Sequence, residues 1–141
     1  MNFKTRLPVT IFATGLSITS LGIISTVLAA PVDDLLTQYQ TQGAGEPAPE
    51  SGQKQWTQIY TNNNKSEKRS CDTCHTRNLQ NEGKQVNTGK RIEPLAPSAN
   101  RERLTDRKKI EKWFKRNCKW TLGRECTPQE KSDFLSYIRQ Q

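Results

Sequence analysis

The residues with the clearest chemistry stand in a row, Cys71-Asp72-Thr73-Cys74-His75. Two thiols at this spacing can each add across one vinyl group of a haem, while the adjacent imidazole reaches the iron. The pattern is therefore typical of covalent c-type haem attachment, with Cys71 and Cys74 as tethers and His75 as the proximal iron ligand. Because Cys-x-x-Cys also occurs in zinc knuckles and thioredoxin-like redox sites, the rest of the chain must decide between these chemistries.

Two further cysteines, Cys118 and Cys126, stand later in the chain. In an oxidising compartment we expect them to form a disulfide with each other. The alternative is a zinc site made of Cys71, Cys74, Cys118 and either Cys126 or His75. The second pair lacks the spacing of a zinc knuckle, which favours the haem interpretation.

A sixth iron ligand of the usual kind is missing. Electron-transfer cytochromes complete the iron with a methionine or a second histidine, but the single methionine is Met1 and the single histidine is His75. We therefore expect a distal position that is open or held by a weaker ligand, such as asparagine, lysine, tyrosine or water. An open position on ferrous haem binds diatomic gases.

The first residues predict export. Lys4 and Arg6 precede an uncharged apolar run from Val9 to Leu28, and small residues follow it near Ala29. This is the pattern of a cleaved secretory signal peptide, which predicts a periplasmic or otherwise exported protein. An uncleaved membrane anchor is the alternative, since the run approaches the length that spans a bilayer.

The remaining chain has the size and charge of one small, basic domain. We divide it into a signal peptide (1–29), an N-terminal helix and linker (30–51) and a cytochrome c domain (52–141). The whole chain has 22 basic and 14 acidic residues, a formal net charge of +8. Such a surplus steers the docking of partners with an acidic face. No nucleic-acid-binding motif is recognisable, so we expect no nucleic acid partner.

Two helices are predicted before the haem motif. Apolar residues at helical spacing indicate the first over Val32–Gln40, and a linker rich in glycine and proline follows over 43–49. The second opens at residue 51 or 52. Its core-facing side would carry Trp56, Ile59 and Tyr60. A polar loop then leads into the haem motif.

The segment from 78 to 100 lacks helical periodicity and contains two glycines and two prolines. Loops of this length in compact domains are usually functional. We expect this one to wrap a haem edge, with Ile92, Leu95 and Ala96 as contacts. The alternative is a mobile surface loop.

Two more helices are predicted after this loop. Thr105 is the expected N-cap of the first, which would run to Trp120. Thr127-Pro128-Gln129-Glu130 is a capping box with proline at the first helical position, and it starts the last helix. The inner face of that helix would carry Phe134, Leu135 and Ile138, with Tyr137 beside them. Since no alternation is long enough for a strand, the expected fold class is all-α.

An asparagine falls on the inner face of the helix that starts near Thr105. Ile110, Trp113 and Phe114 occupy that face, and the next step of three or four positions lands on Asn117. A buried amide needs polar partners to offset the cost of leaving water. Asn117 is therefore either a residue that bonds to the backbone at the helix end or a weak, neutral distal ligand. Tyr60 would bind best as phenolate, and a lysine would have to lose its proton.

Several motifs together resemble one known family. They are Cys71 to His75, the run Thr88 to Ser98, Lys112-Trp-Phe-Lys-Arg-Asn-Cys118, Gly123-Arg-Glu-Cys-Thr127 and Glu130-Lys131. They closely resemble the sphaeroides haem protein family of oxygen-binding c-type cytochromes, from Gly52 to Ile138. The motif Trp-Phe-x-Arg-Asn-Cys followed by Arg-Glu-Cys is more specific than Cys-x-x-Cys-His alone.

This resemblance implies a class I cytochrome c-like domain with one covalent haem c. It implies that Asn117 ligates the oxidised iron and leaves on reduction, which frees the site for oxygen or nitric oxide. The disulfide of the family would join Cys118 and Cys126. A dihaem cytochrome c or a membrane cytochrome b would be the electron donor. Nothing is implied for the N-terminal helix and linker.

Three function classes remain open at this point. The preferred one is an exported monohaem cytochrome that transfers electrons and binds a diatomic gas. The second is a haem enzyme that turns over oxygen, peroxide or nitric oxide, which needs a distal acid or base. Arg116, Arg124 or Glu125 would serve only by facing the pocket. The third is a structural zinc or disulfide domain.

Overall fold

The computed structural model describes residues 31–62 and 67–141, apart from the side chain of Asn62. The predicted signal peptide lies outside the described residues, and so does part of the predicted loop before the haem motif, at 63–66. Among the helices within these described ranges, none is long and apolar enough to cross a membrane.

Helices dominate the described chain, as the sequence predicted. In chain order the elements are α1 (Pro31–Thr41), α2 (Pro49–Thr57), β1 (Tyr60–Asn62), β2 (Glu67–Arg69), α3 (Asp72–His75), β3 (Gly83–Lys84), β4 (Arg91–Ile92), α4 (Arg107–Thr121) and α5 (Pro128–Arg139). The strands were not expected. They form two antiparallel ribbons, β1 with β2 and β3 with β4. Each strand is too short to show the alternation by which a sequence reveals a strand.

Helices α2 and α5 cross at a glycine. Gly52 is buried, and a Cβ added there would overlap the backbone carbonyl of Asp133. One turn further along α2, the Trp56 ring packs on Phe134 and Tyr137, with centroid separations of 6.3 and 5.9 Å. This crossing sets α2 on the aromatic side of α5.

The prediction that Ile59 and Tyr60 lie with Trp56 on the inner face of the second helix is wrong. The helix ends at Thr57 because the chain turns into an extended conformation at Gln58 and joins the first ribbon. Ile59 is therefore 67% exposed, and Tyr60 begins β1. Helix α2 also starts earlier than predicted, at Pro49, where the fixed φ of proline suits a first turn.

Helix α1 packs on α4 and α5 and is one residue longer than predicted at each end. The Tyr39 hydroxyl donates to Glu111 Oε1 at 2.5 Å, and Glu111 Oε2 accepts from Lys131 at 2.8 Å. We call the buried group around this contact the α1 cluster: Val32, Leu35, Leu36, Tyr39, Ile110 and Leu135. The proposed division of the chain after residue 51 stays a prediction.

Helix α4 starts one residue later than predicted. Its N-cap is Asp106, whose carboxylate accepts from the backbone N–H of Lys109 at 3.1 Å. The Thr105 hydroxyl instead donates to the carbonyl of Glu102 at 2.9 Å. A carboxylate also interacts favourably with the positive end of the helix dipole, which explains why aspartate caps in preference to its threonine neighbour.

Helix α5 starts at the predicted capping box. Thr127 Oγ1 accepts from the backbone N–H of Glu130 at 3.2 Å, and the Glu130 carboxylate accepts from the backbone N–H of Thr127 at 2.8 Å. Arg124 donates to both oxygens of the same carboxylate at 2.7 Å. These bonds hold the pKa of Glu130 below its usual value, and the bond from Arg124 has the largest effect.

Candidate haem-binding site

The Cys-x-x-Cys-His motif forms a single helical turn. The backbone N–H of Cys71, the N-cap of α3, donates to the carbonyl of Trp56 at 3.1 Å and so ties the motif to α2. The backbone N–H of His75 donates to the carbonyl of Cys71 at 3.2 Å and closes the turn. Cys71 and Cys74 are free thiols, and both line the same cavity. Two tethers and a histidine thus share one wall.

His75 is held in the form that binds metals. Burial lowers its pKa to about 4, and the positive charge of Arg103 adds to the effect. The imidazole is therefore neutral at physiological pH, as a metal ligand must be. Its Nδ1 is buried and has no hydrogen-bond partner among the described residues. The Trp56 ring packs beside it at a centroid separation of 5.7 Å.

The cavity in front of this wall has a volume of about 720 Å³. That value lies within the range of roughly 300–1,000 Å³ common for pockets that hold small molecules and cofactors. Helix α4 supplies the largest share of its apolar lining. Three residues on that wall are Ile110, Trp113 and Phe114.

Trp113 was expected to pack inward with Ile110 and Phe114, yet it is 47% exposed. All three side chains line the cavity, but the Trp113 ring stands at its open side. The Arg116 guanidinium lies 5.0 Å from the centroid of that ring, within the distance of a cation–π contact. The predicted inner face of α4 is thus a cavity wall and only partly a packed interface.

Asn117 also lines the cavity, on the same helix. Its side chain is exposed, because it faces the cavity and is not packed against the protein. The next residue is Cys118, whose disulfide to Cys126 spans a Cα–Cα distance of 5.5 Å. The carbonyl of Cys118 accepts from the backbone N–H of Leu122 at 2.7 Å. The end of α4 that carries Asn117 is therefore tied to the chain before α5.

The loop predicted to wrap the haem edge supplies part of the wall. Ile92 and Leu95 line the cavity, whereas Ala96 is fully buried in the core behind it. The backbone N–H groups of Leu95 and Ala96 both donate to the carbonyl of Leu79, at 2.9 and 3.0 Å. The second half of the segment thus forms part of the cavity wall, which supports the predicted haem contacts of Ile92 and Leu95.

The zinc alternative is excluded by the cysteine pairing. Cys118 and Cys126 are bonded to each other, so neither thiol is available to a metal. Nowhere in the ranges 31–62 and 67–141 do three histidine, cysteine or acidic side chains gather as a metal site. The two cysteine pairs therefore have separate roles.

Among the residues considered for distal chemistry, only some face the cavity. Arg116 lines it, whereas Arg124 and Glu125 are not among the lining residues in the described part of the chain. Arg124 is held by Glu130, and Glu125 pairs with Lys119 at 3.1 Å. Tyr60 does not line the cavity, which removes it as a distal ligand in this conformation.

Two residues near the haem motif, Arg103 and Gly83, were not identified as site residues from the sequence. Arg103 lines the cavity and donates to the carbonyls of Glu93 and Pro94 at 2.7 Å each. Gly83 lies so close to the haem motif that an added Cβ would overlap the carbonyl of Cys74. Nothing in a local pattern marks a lone arginine as a loop brace, whereas a glycine soon after the motif was a hint of close backbone approach.

The residues present fit a covalent haem. Two free thiols and a neutral histidine share one wall, Asn117 stands on α4, and the cavity between them is large and mainly apolar. The buried, unpartnered Nδ1 shows that the histidine is not simply a residue satisfied within the core. Cys71, Cys74 and His75 would hold a haem in this cavity, and Asn117 would be within the same lining as a further candidate ligand.

The known proteins that match this chain are c-type cytochromes. The matching family model, described as a domain of unknown function (DUF1924), covers residues 42–138. Cytochrome c-type protein SHP of Cereibacter sphaeroides is 41% identical over 127 residues, which are 84% of this chain and 96% of that protein. Cytochrome c'' of Methylophilus methylotrophus is 47% identical over 68 residues, which are 48% of this chain and 47% of that protein.

Solved structures give the same neighbours. The structure of oxidised SHP, described as an oxygen-binding cytochrome c, matches with a TM-score of 0.71 at 35% identity, over 79% of this chain and 98% of that one. A solution structure of M. methylotrophus cytochrome c'', concerned with haem-ligand detachment, matches with a TM-score of 0.68 at 32% identity, over 78% and 93% of the two chains.

Proposed function

This chain belongs to the DUF1924 family and to the c-type cytochromes related to SHP, and its cofactor is haem c. We propose that it is an exported cytochrome that transfers electrons and binds a diatomic gas. The gas is oxygen or nitric oxide, bound at the ferrous haem. The electron donor is a dihaem cytochrome c or a membrane cytochrome b. The apolar run between Val9 and Leu28 supports export to the periplasm.

Bound haem supplies an iron that exchanges one electron and, with an open coordination position, holds a diatomic gas. Cys71 and Cys74 hold it covalently, and neutral His75 is the proximal ligand. Asn117 is the distal ligand of the ferric iron and is released on reduction. Since Asn117 is neutral and weakly basic, it competes poorly for the softer ferrous iron.

One observation carries this proposal. The sequence has no second histidine, and no methionine after Met1, to serve as the usual sixth ligand, whereas an asparagine lines the haem cavity. The single histidine is His75 and the single methionine is Met1. Asn117 lines the same cavity as His75. The oxygen binding named for SHP and the haem-ligand detachment named for cytochrome c'' support a displaceable ligand.

The enzyme alternative has one supporting observation. Arg116 lines the cavity and lies over the Trp113 ring at 5.0 Å. A guanidinium does not lose its proton at physiological pH, so it stabilises negative charge but does not serve as a general base. Arg116 therefore does not support turnover that needs a general base, and we prefer binding and electron transfer.

The test is the visible absorption spectrum of the mature holoprotein when oxidised, when reduced, and when reduced under carbon monoxide. We expect a low-spin ferric spectrum, a high-spin ferrous spectrum and a shift on addition of carbon monoxide. A low-spin ferrous spectrum that carbon monoxide leaves unchanged would mean that a strong ligand holds the iron in both states.

The variant Asn117→Ala tests whether Asn117 is the distal ligand. We expect the ferric spectrum of this variant to become high-spin or water-ligated with the haem still attached. Asn81→Ala is the matched control, since Asn81 is exposed and is not among the residues that line the cavity in the described chain. An unchanged ferric spectrum in Asn117→Ala would remove Asn117 from the role of distal ligand.

A further inference from the structure

Helix α4 carries a second pattern on the side away from the cavity. Lys108, Lys112, Lys115 and Lys119 follow each other at intervals of three or four residues. At about 100° per residue they fall within an arc of about 60° around the helix axis, over a length of about 16 Å. All four are exposed. We call this set the lysine stripe.

The lysine stripe and the candidate iron ligand are on opposite sides of the same helix. Asn117 is nine residues after Lys108, a rotation of about 180°. It lines the cavity, together with Ile110 and Phe114 from the same helix. Since a helix with its side chains is about 10–12 Å across, the stripe lies one helix width from the haem cavity.

The stripe works against the stability of its own helix. Lysines three or four positions apart repel each other. Lys108 also lies in the first turn, where the helix dipole disfavours positive charge, and the acidic residue at that helix start is the N-cap Asp106. Within the described residues, the acidic partner of the stripe is Glu125, which pairs with Lys119 at its far end.

We propose that the lysine stripe is the docking surface for an electron-transfer protein with an acidic face. This rests on the proposed electron-transfer function and identifies the side from which the electron arrives. Lysines are flexible, strongly hydrated point charges, which suits a transient, salt-sensitive encounter with spread carboxylates. A partner seated there has only helix α4 between itself and the haem cavity.

A protein partner fits the stripe better than a lipid surface. Basic helices that lie on membranes insert apolar side chains that flank their lysines. On α4 the apolar residues Ile110 and Phe114 face the cavity, on the side opposite the stripe. The stripe thus presents charge without an inserting face.

The experiment measures electron transfer into the ferric holoprotein from reduced flavodoxin, used as an acidic protein probe. The stripe variant combines Lys108→Glu, Lys112→Glu and Lys115→Glu. The control variant combines Lys54→Glu, Lys84→Glu and Arg101→Glu, which changes the net charge equally at exposed positions on other parts of the surface. Second-order rate constants are compared at ionic strengths of about 0.01 M and about 0.15 M.

We expect the stripe variant to react at least about tenfold more slowly than wild type at the low ionic strength, with little remaining salt dependence. The control variant should lose less than about threefold. Equal losses in both variants would show that only net charge matters and would overturn the proposal. A second result would also overturn the proposal: anionic phosphatidylglycerol vesicles bind wild type but not the stripe variant, and the two proteins react with flavodoxin at the same rate.

Two checks keep the result interpretable. The milder set Lys108→Gln, Lys112→Gln and Lys115→Gln should give a smaller loss in the same direction, and all variants should keep the wild-type haem spectrum and midpoint potential. The carbon monoxide response is recorded on the same samples. A missing response would refute the proposed gas site, whereas an intact response with unchanged rates would refute only the docking surface.

Discussion

The α1 cluster and the buried group behind the haem motif share helices α4 and α5, yet only the first is completed by the protein alone. Every member of the α1 cluster is at most 8% exposed, and Tyr39 has its hydroxyl satisfied by Glu111. The haem side keeps a cavity of about 720 Å³, an unpartnered His75 Nδ1 and a half-exposed Trp113. We call its buried members the haem-side cluster: Trp56, Leu79, Ala96, Cys118, Cys126, Phe134, Tyr137 and Ile138.

This difference separates two tasks. A protein interior is close-packed, so a large cavity is unstable unless a ligand fills it. The α1 cluster therefore stabilises α4 and α5 without a cofactor, and two of its members, Ile110 and Leu135, also form part of the cavity wall. Substitutions in the α1 cluster should change the free energy of unfolding. Substitutions on the haem side should change the haem spectrum and ligand binding.

The largest expected effect is on the haem side. Cys71→Ala combined with Cys74→Ala removes both thiols that can form thioether bonds, so no haem should stay with the chain after denaturation. Haem staining of a denaturing gel measures this. Cys118→Ser is the control, because its sulfur belongs to the disulfide and the variant should keep its haem. Covalent haem in the double variant would contradict the attachment site.

The next effect is on the α1 cluster. Leu35 is fully buried, so Leu35→Ala should lower the free energy of unfolding by about 3 kcal/mol, through lost burial and a new cavity. Denaturant titration of the holoprotein measures this. The ferric and ferrous spectra should stay as in wild type. Leu95→Ala, at the cavity wall, is the comparison and should change the spectrum more than Leu35→Ala does.

A smaller effect is expected where the two regions meet. Cys118→Ser opens a disulfide that closes a short loop, which should lower the free energy of unfolding by about 2.5 kcal/mol. Because Asn117 precedes Cys118, looser packing of the helix end should also weaken ferric ligation. Carbon monoxide binding kinetics and ferric spectra report on the site. Identical kinetics would mean that the disulfide stabilises only the fold.

The smallest effect concerns the start of α5, which both regions use. The bonds from Arg124 and Thr127 hold the pKa of Glu130 in the folded protein below its value in the unfolded chain. They therefore stabilise the fold above about pH 4.3. This contribution is lost as the pH falls through the lower folded pKa. Glu130→Gln should therefore cost about 1 kcal/mol at pH 7.

The cost should begin to shrink below about pH 4.3, where the unfolded chain takes up the proton, and it should be lost once the pH has fallen through the lower folded pKa. Denaturant titrations of wild type and variant at pH 7 and near pH 3 measure the difference. Arg124→Gln removes the largest cause of the pKa shift and should give part of the same loss. An equal cost at both pH values would show that the charge of Glu130 is not what stabilises the helix start.

The sequence predicted the helices best where local chemistry controls them. The Thr127 capping box placed the start of α5 correctly, since its bonds join residues three positions apart. The cap of α4 was one residue off, because Thr105 and Asp106 both suit that role and the charge of the carboxylate favours Asp106. The second helix was drawn too long, because the β1–β2 pairing takes Ile59 and Tyr60 out of the helix.

The haem attachment motif and the absence of an ordinary sixth ligand were readable from the sequence alone, because both depend on residue type and on spacing within a few positions. Only the tertiary structure decided that Asn117 lines the cavity of His75, that Arg103 braces its wall and that Arg124 and Glu125 stand away from it. Those facts depend on how distant segments pack, and no local pattern encodes the distance between them.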